Sequence, residues 1–234
     1  AGDGGLVWAK IRDTASTNHM LVDTERGTGS VIRTNFSSSE QTGTFLNSFD
    51  SDGFTLANNF DMNGSGYDIV SWSFKKQTKF FDIVTYIGNS TARAISHNLG
   101  SEVGSIFIKR VTTNNEWVVY HRSMANNEAL TLNTTDAKLS PRTFFDNTTP
   151  TSTEFYLSAG DSAVNNSGDT YVAYLFAHDT ASDGLIQCGS FTTDGSGAAT
   201  VSDIGWQPQW ILSKSSTSSA DDWEVLDTTR GWST

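Results

Sequence analysis

The segment GDTYVAYLF, residues 168–176, decides the fold class that the sequence predicts. Large apolar side chains fall on almost every second position, as a β-strand with one buried face requires. The same alternation recurs in other short segments, namely FDIVTY (81–86), SIFIK (105–109), WVVYH (117–121) and WEVLD (223–227). Turn sequences such as NGSG and TDGSG separate these segments, and no apolar period typical of a helix is sustained. We therefore predict an all-β fold of antiparallel strands.

Composition and charge limit the classes of partner. The chain has 234 residues, 36% of them hydrophobic, with a formal net charge of −11. This length and apolar content suffice to bury a core, whereas the acidic balance repels nucleic-acid phosphates and anionic lipid headgroups. No apolar run approaches the roughly 18–20 residues of a membrane-spanning helix. We expect neither nucleic-acid binding nor membrane insertion, and the single cysteine, Cys188, excludes an intrachain disulfide.

The chain also matches itself at intervals of about 100 residues, the size of a small β-sandwich. HMLVDTERG (19–27) matches WEVLDTTRG (223–231), and SGYDIVSWSF (65–74) matches SGDTYVAYLF (167–176). We predict tandem antiparallel β-sandwich modules of jelly-roll or lectin-like type. Their boundaries are 1–79 for a first unit that lacks its opening hairpin, 80–179 for a complete second unit, and 180–234 for the first half of a third. These units belong to a longer array, or the two incomplete ones complement each other in a two-domain body.

Catalytic motifs are absent from the sequence, which has no GxSxG, GxGxxG, phosphate-binding loop or HExxH. A histidine–carboxylate site is conceivable between His97 or His121 and Asp82 or Asp136. However, the internal matches place Asp203 where His97 stands, and an aspartate also replaces His121. A metal ligand or general base does not tolerate such exchange. We expect no catalytic residue, no metal site, no cofactor and no enzyme activity.

Two further features have both a binding and a structural interpretation. The segment Asp50–Gly53 resembles the start of a calcium loop, but a turn with local hydrogen bonds explains it more simply. Lys10, Lys109 and Lys214 recur at the end of the same predicted strand, where a lysine could hold a sugar or carboxylate ligand. We favour a structural role in which these side chains extend over a sheet edge and discourage strand pairing.

Aromatic and basic residues supply the remaining candidates. The matched Asp-Arg pairs suggest local ion pairs between Arg26 and Asp23 and between Arg230 and Asp227. Three tryptophans fall on alternating strand positions and are expected in the core: Trp72, Trp117 and Trp223. Three others lie in poorly patterned segments and are the candidates for an exposed contact with carbohydrate: Trp206, Trp210 and Trp232.

The order of the longer blocks resembles a known family. FFDIVTYIGNSTARAISHNLGSEVGSIFIKR (80–110), WVVYHRSM (117–124) and VNNSGDTYVAYLFAHD (164–179) are similar to the tandem modules of tailed-bacteriophage structural proteins, especially those of marine and cyanobacterial phages. The resemblance covers nearly the whole chain. It implies a virion component, such as a tail or tail-fibre protein, or a domain of unknown function, and it supplies no catalytic residues.

Three hypotheses about function follow. The first is a non-catalytic virion structural protein, a tail fibre, spike or capsid decoration on the particle exterior that binds other virion proteins, forms a homo-oligomer and attaches to the host. The second is a carbohydrate-binding module for host surface polysaccharide. The third is a polysaccharide depolymerase, which would need a pair of carboxylates that does not recur in the units. A bacterial surface adhesin is a variant of the first.

Overall fold

Antiparallel strands are the main regular structure of the computed structural model, in which residues 4–231 are described. The strands in chain order are β1 (Gly5–Ile11), β2 (Met20–Asp23), β3 (Ser30–Arg33), β4 (Gln41–Thr42), β5 (Leu46–Phe49), β6 (Phe54–Leu56), β7 (Ile69–Lys75), β8 (Phe81–Ile87), β9 (Arg93–Ser96), β10 (Val103–Arg110), β11 (Val118–His121), β12 (Leu130–Thr131), β13 (Glu154–Leu157), β14 (Thr170–Ala177), β15 (Trp210–Ser213) and β16 (Glu224–Asp227). One short helix, α1, spans Phe60–Asn63. The all-β prediction is confirmed, and no helix within residues 4–231 has the length and apolar content to cross a membrane.

Three sheets carry the architecture. Sheet I has the strand order β4-β3-β2-β1-β7, and sheet II has the order β12-β11-β10-β14-β8. Sheet III is the two-stranded sheet β15–β16. In sheet I, β1 lies between β2, which follows it directly, and β7, which comes much later in the chain. In sheet II, β10 lies between β11 and β14 in the same way.

The pairing register makes the sheets comparable residue by residue. In sheet I, Trp8 lies opposite Leu21 on one side and Trp72 on the other. In sheet II, Phe107 lies opposite Val119 and Tyr174 in the same way. In sheet III, Leu212 of β15 lies opposite Val225 of β16. Trp8, Phe107 and Leu212 therefore hold matching positions. The same register relates their neighbours in these strands, up to the irregularity between Val103 and Ser105 in β10.

Strand β14 differs from its prediction, because both of its faces are buried. Tyr171, Ala173 and Leu175 face a core under the small sheet β9–β13. Val172, Tyr174 and Phe176 face a second core on the opposite side. The alternation in the sequence suggested one buried face, but β14 lies inside sheet II with a layer of structure on each side, so nearly all of its side chains leave water.

The predicted opening hairpin of the second unit is wrong. Strand β8 pairs with β14 in sheet II, whereas β9 pairs with β13 in the covering layer. The two strands therefore belong to different sheets and do not pair with each other. Sheet I has its own covering layer, formed by β5–β6 and by Met62 of α1, over the buried residues Val7 and Met20.

The inner faces of the three sheets meet in one shared core. Sheet I contributes Trp8 and Trp72 to it, and sheet II contributes Phe107 and Trp117. Leu212 and other half-buried residues of sheet III pack against the same core. The boundary predicted at residue 79 lies in the turn before β8, and the boundary at residue 179 lies in the loop after β14. The three sheets thus bury a common apolar interior.

Candidate functional site

The polar groups that recur between matched sheets form the most regular constellation in the molecule. Two indoles bridge neighbouring sheets: Trp117 Nε1 donates to the carbonyl oxygen of Arg33 at 2.9 Å, and Trp223 Nε1 donates to that of Thr131 at 2.8 Å. Arg33 and Thr131 hold the same register position at the ends of β3 and β12. The bond from Trp117 holds sheet II against sheet I, and the equivalent bond from Trp223 holds sheet III against sheet II. Trp72 and Trp117 are buried and Trp223 is half-buried against the shared core, which confirms the core interpretation.

Two of the recurrent lysines, Lys109 and Lys214, bond across these same contacts, which we call junction I–II and junction II–III, whereas Lys10 bonds within its own loop. Lys109 is fully buried, and its Nζ donates to the carbonyl oxygens of Ser37 at 3.0 Å and Asn115 at 2.6 Å. Burial lowers the pKa of Lys109 to about 8, and the charge of Glu116 opposes this only in part. The prediction that this side chain extends over a sheet edge into solvent is therefore wrong for Lys109, whose ammonium fastens an internal junction.

Lys214 repeats this arrangement one sheet further on. Its Nζ donates to the carbonyl oxygen of Thr135 at 3.0 Å, and Thr135 follows β12 by the same interval at which Ser37 follows β3. Two backbone bonds recur in parallel: Glu40 N donates to Val111 O, and Lys138 N donates to Ser216 O, each at 3.0 Å. Junctions I–II and II–III therefore share their indole, ammonium and backbone donors.

Three side chains form a second set of contacts at junction I–II, namely Asp23 and Arg26 of sheet I and Tyr174 of sheet II. The hydroxyl of Tyr174 in sheet II donates to Asp23 Oδ2 at 2.6 Å, and Arg26 Nε donates to the same oxygen at 2.7 Å. Asp23 and Tyr174 are both fully buried. Burial alone would lower the pKa of Arg26, but its interactions with Tyr174, Asp23 and Glu40 outweigh it, and the pKa lies above its ordinary value. The predicted Arg26–Asp23 ion pair is confirmed.

Sheet III contacts sheet I through the equivalent side chains, Asp227 and Arg230 with Trp72. Arg230 Nε lies 2.5 Å from Asp227 Oδ2, which confirms the second predicted ion pair, and Trp72 Nε1 donates to the same carboxylate oxygen at 3.1 Å. Burial would raise the pKa of Asp227, but the bonds from Arg230 and Trp72 lower it below the ordinary value. Trp72 and Tyr174 hold matching register positions in β7 and β14. The contacts therefore run from sheet I to II, from II to III, and from III back to I.

A cleft of about 300 Å³ opens where the three sheets approach one another. Its walls include Trp8, His19, Asn133, Asp222 and Trp223. Trp8 Nε1 donates to His19 Nδ1 at 3.1 Å. Burial first, and then the charges of Lys10 and Arg230, lower the pKa of His19 to about 4. The imidazole is neutral at pH 7, so the polar groups on the cleft wall are amides, hydroxyls and one carboxylate, beside the indoles of half-buried Trp223 and of Trp8, which is 5% exposed.

The candidate tryptophans are in different surroundings. Trp210 is a strand residue of β15, and its ring lies edge-on to Phe74 at 5.4 Å, so the prediction that it lies in an unpatterned exposed segment is wrong. Trp206 is half-buried in a shallow cleft beside Pro208 and Ile211. Trp232 lies outside the described residues. The structure does not bring Trp206 and Trp210 together with the cleft of Trp8 and Trp223, and sugar binding by the candidates stays a prediction.

The histidine and acidic candidates take up local bonds. His97 Nδ1 accepts from Leu99 N at 3.2 Å, and Asn98 N donates to Asp82 at 2.7 Å. His121 Nδ1 accepts from Ser123 N at 3.2 Å. Asp50–Gly53 forms the turn between β5 and β6, as its turn interpretation predicts. Within residues 4–231, no three histidine, cysteine or acidic side chains are grouped so that they could hold a metal ion.

These observations define an all-β protein whose antiparallel sheets join through recurrent polar contacts around a shared core. The chain belongs to the family described as a domain of unknown function, DUF7483, which matches residues 3–234. The expectation of a domain of unknown function is therefore confirmed. No curated protein and no solved structure matches the chain.

Proposed function

We propose that the protein is a non-catalytic structural component of a phage virion, built from copies of one β unit. The observation that carries this proposal is the reuse of one junction. The indole and ammonium donors of Trp117 and Lys109 hold sheet II on sheet I, and those of Trp223 and Lys214 hold sheet III on sheet II. Side chains that could recognise a ligand are thus committed to holding sheets together.

The matching strand order supports the same proposal. A unit that is copied along a chain carries its docking contacts with it, so every junction has the same donors and acceptors. Such repetition of one set of contacts is expected of a protein that supplies length, rigidity or many identical surfaces. Repeated display also raises avidity for a host surface without strong binding at any one site.

The virion location follows from the sequence resemblance to the modules of tailed phages. We propose that the protein lies on the particle exterior as a tail fibre, spike or capsid decoration, that it forms a homo-oligomer, and that it contacts other virion proteins. Mass spectrometry of phage particles purified through two density gradients should find its peptides at a constant ratio to the major capsid protein. A non-structural phage enzyme serves as the negative control, and loss of the protein together with that enzyme during purification would refute the proposal.

Carbohydrate binding is the second candidate, and the cleft beside Trp8 and Trp223 favours it. Indole faces stack on sugar rings, and the hydroxyl and amide groups on the cleft wall suit sugar hydroxyls. A glycan array with host surface polysaccharides tests this candidate, and Asp222→Asn should weaken any binding that uses the cleft. Asp221→Asn, a change at the neighbouring aspartate outside the cleft lining, is the matched control. Binding that neither variant changes would place the sugar elsewhere.

A further inference from the structure

We propose that the free edge of β15 is a docking site for a closing strand that completes sheet III as β7 completes sheet I and β14 completes sheet II. By closing strand we mean an extended segment with the pattern of β7 and β14, which close sheets I and II. This inference rests on the proposal that the chain is built from copies of one unit. It adds a specific interaction surface and specifies the chemistry of its partner.

Sheets I and II show which strand pairs with the edge that is free in β15. In sheet I, β1 pairs with β2 on one edge and with β7 on the other. In sheet II, β10 pairs with β11 and with β14. Within residues 4–231, β15 pairs with β16 alone. An unpaired strand edge presents a row of backbone donors and acceptors that accept another strand.

The outer face of sheet III differs in exposure from the outer faces of sheets I and II. Leu226 is 44% exposed, whereas the residues at the matching positions of sheets I and II, Val22 and Tyr120, are 0% and 3% exposed. Sheets I and II each have a covering layer over this face. Within the described residues, sheet III has no such layer over Leu226.

The segment before sheet III follows a different course from β8, its counterpart before sheet II. In sheet II, β8 joins the sheet only through β14. Residues 185–191 precede sheet III as β8 precedes β10, yet they form no strand, and Leu185 and Phe191 are 58% and 55% exposed. Ile186 O accepts from Asp179 N, and Cys188 N donates to His178 Nδ1. This segment is therefore held beside the end of β14, and of these two elements β15 alone keeps an unpaired edge within residues 4–231.

The precedents also specify the side chains of the partner. The central inward residue is an aromatic with a hydrogen-bond donor, Trp72 in β7 and Tyr174 in β14, and a phenylalanine follows two residues later. Opposite Leu212, this aromatic would enter the shared core. Its precedents donate to Asp23 and Asp227, so the cyclic order places it beside the matching residue of sheet II, His121.

The test uses a peptide with the sequence of residues 168–178, flanked by lysines for solubility and labelled with fluorescein. Strand pairing makes the backbone N–H groups of alternate residues point to opposite edges. Because Val111 N donates to Thr170 O, the N–H groups of Val172 and Tyr174 in β14 face β10, and those of Ala173 and Leu175 face β8. N-methylation of one pair or the other therefore gives two matched peptides.

Fluorescence anisotropy should show saturable binding of the unmodified peptide. Methylation at the positions of Val172 and Tyr174 should weaken it at least about tenfold more than methylation at those of Ala173 and Leu175, since only the first pair faces β15. The imidazole NMR signals of His121 should shift on binding, and those of His97 should not.

Equal affinities of the two methylated peptides, or no binding of the unmodified one, would overturn the proposal. A protein dimer in light scattering that the peptide dissociates would assign the edge to a second copy and would overturn the proposed occupant. None of these readouts involves a phage particle, so this inference and the virion location can fail separately.

Discussion

Replacing Lys109 with methionine should remove a pH dependence of stability that the wild-type chain carries. The side chain is fully buried, and burial lowers its pKa from 10.5 to about 8. A base whose pKa is lower in the folded state resists protonation there, so the folded state is destabilised at low pH. This penalty is complete below pH 8 and absent above pH 10.5, and wild-type stability should rise with pH through that window.

The magnitude follows from the size of the shift. Each pKa unit corresponds to about 1.36 kcal/mol, so the gain between pH 7 and pH 10 is about 2–3 kcal/mol. Urea denaturation at the two pH values measures the free energy of unfolding of wild type and K109M. The quantity of interest is the difference between the two proteins, because the titrations of Cys188 and of the buried tyrosines affect both equally.

Two comparisons make this test specific. K109M also leaves the carbonyls of Ser37 and Asn115 without their ammonium donor, but that loss lowers stability at both pH values and cancels in the comparison. Lys79→Met, at an exposed lysine, is the control and should keep the wild-type pH dependence. If wild type and K109M change by the same amount between pH 7 and pH 10, the reasoning about the buried ammonium is refuted.

Other contacts at the junctions give further predictions. Tyr174→Phe removes the hydroxyl donor to buried Asp23 and should lower the free energy of unfolding by about 1–3 kcal/mol; an unchanged urea midpoint would contradict this. Trp223→Phe keeps an aromatic ring but loses the bond to Thr131, and a loss of about 1 kcal/mol is expected in the same assay, whereas greater stability would argue against the bond. An NMR titration should place the pKa of His19 near 4, and a value near 6.5 would mean that its imidazole is not buried.

Local strand structure was predictable from this sequence, because each strand carries its own pattern. The alternation in segments 81–86, 105–109 and 223–227 corresponds to β8, β10 and β16. The recurrence of Lys10, Lys109 and Lys214 was also visible, but its meaning was not. The carbonyl oxygen of Ser37 lies 72 residues away in sequence from Lys109. Every residue has a backbone oxygen, so the residue type at position 37 does not reveal this contact.

The arrangement of the sheets was not predictable in the same way. Asp23 and Tyr174 are 151 residues apart, and Trp72 and Asp227 are 155 residues apart. An alternating pattern predicts that a strand has an apolar face, but it does not predict which other sheet packs against that face. The double burial of β14 and the separation of β8 from β9 are consequences of that missing information.

The contact between Trp72 and Asp227 has a consequence for any longer protein of this type. Because sheet III already occupies the place beside sheet I, the circle is closed, and a fourth sheet has no position left around the interior. Additional copies would have to begin another three-sided body. Such a polypeptide would lengthen in steps of three, as a row of prisms, with its natural joints between prisms.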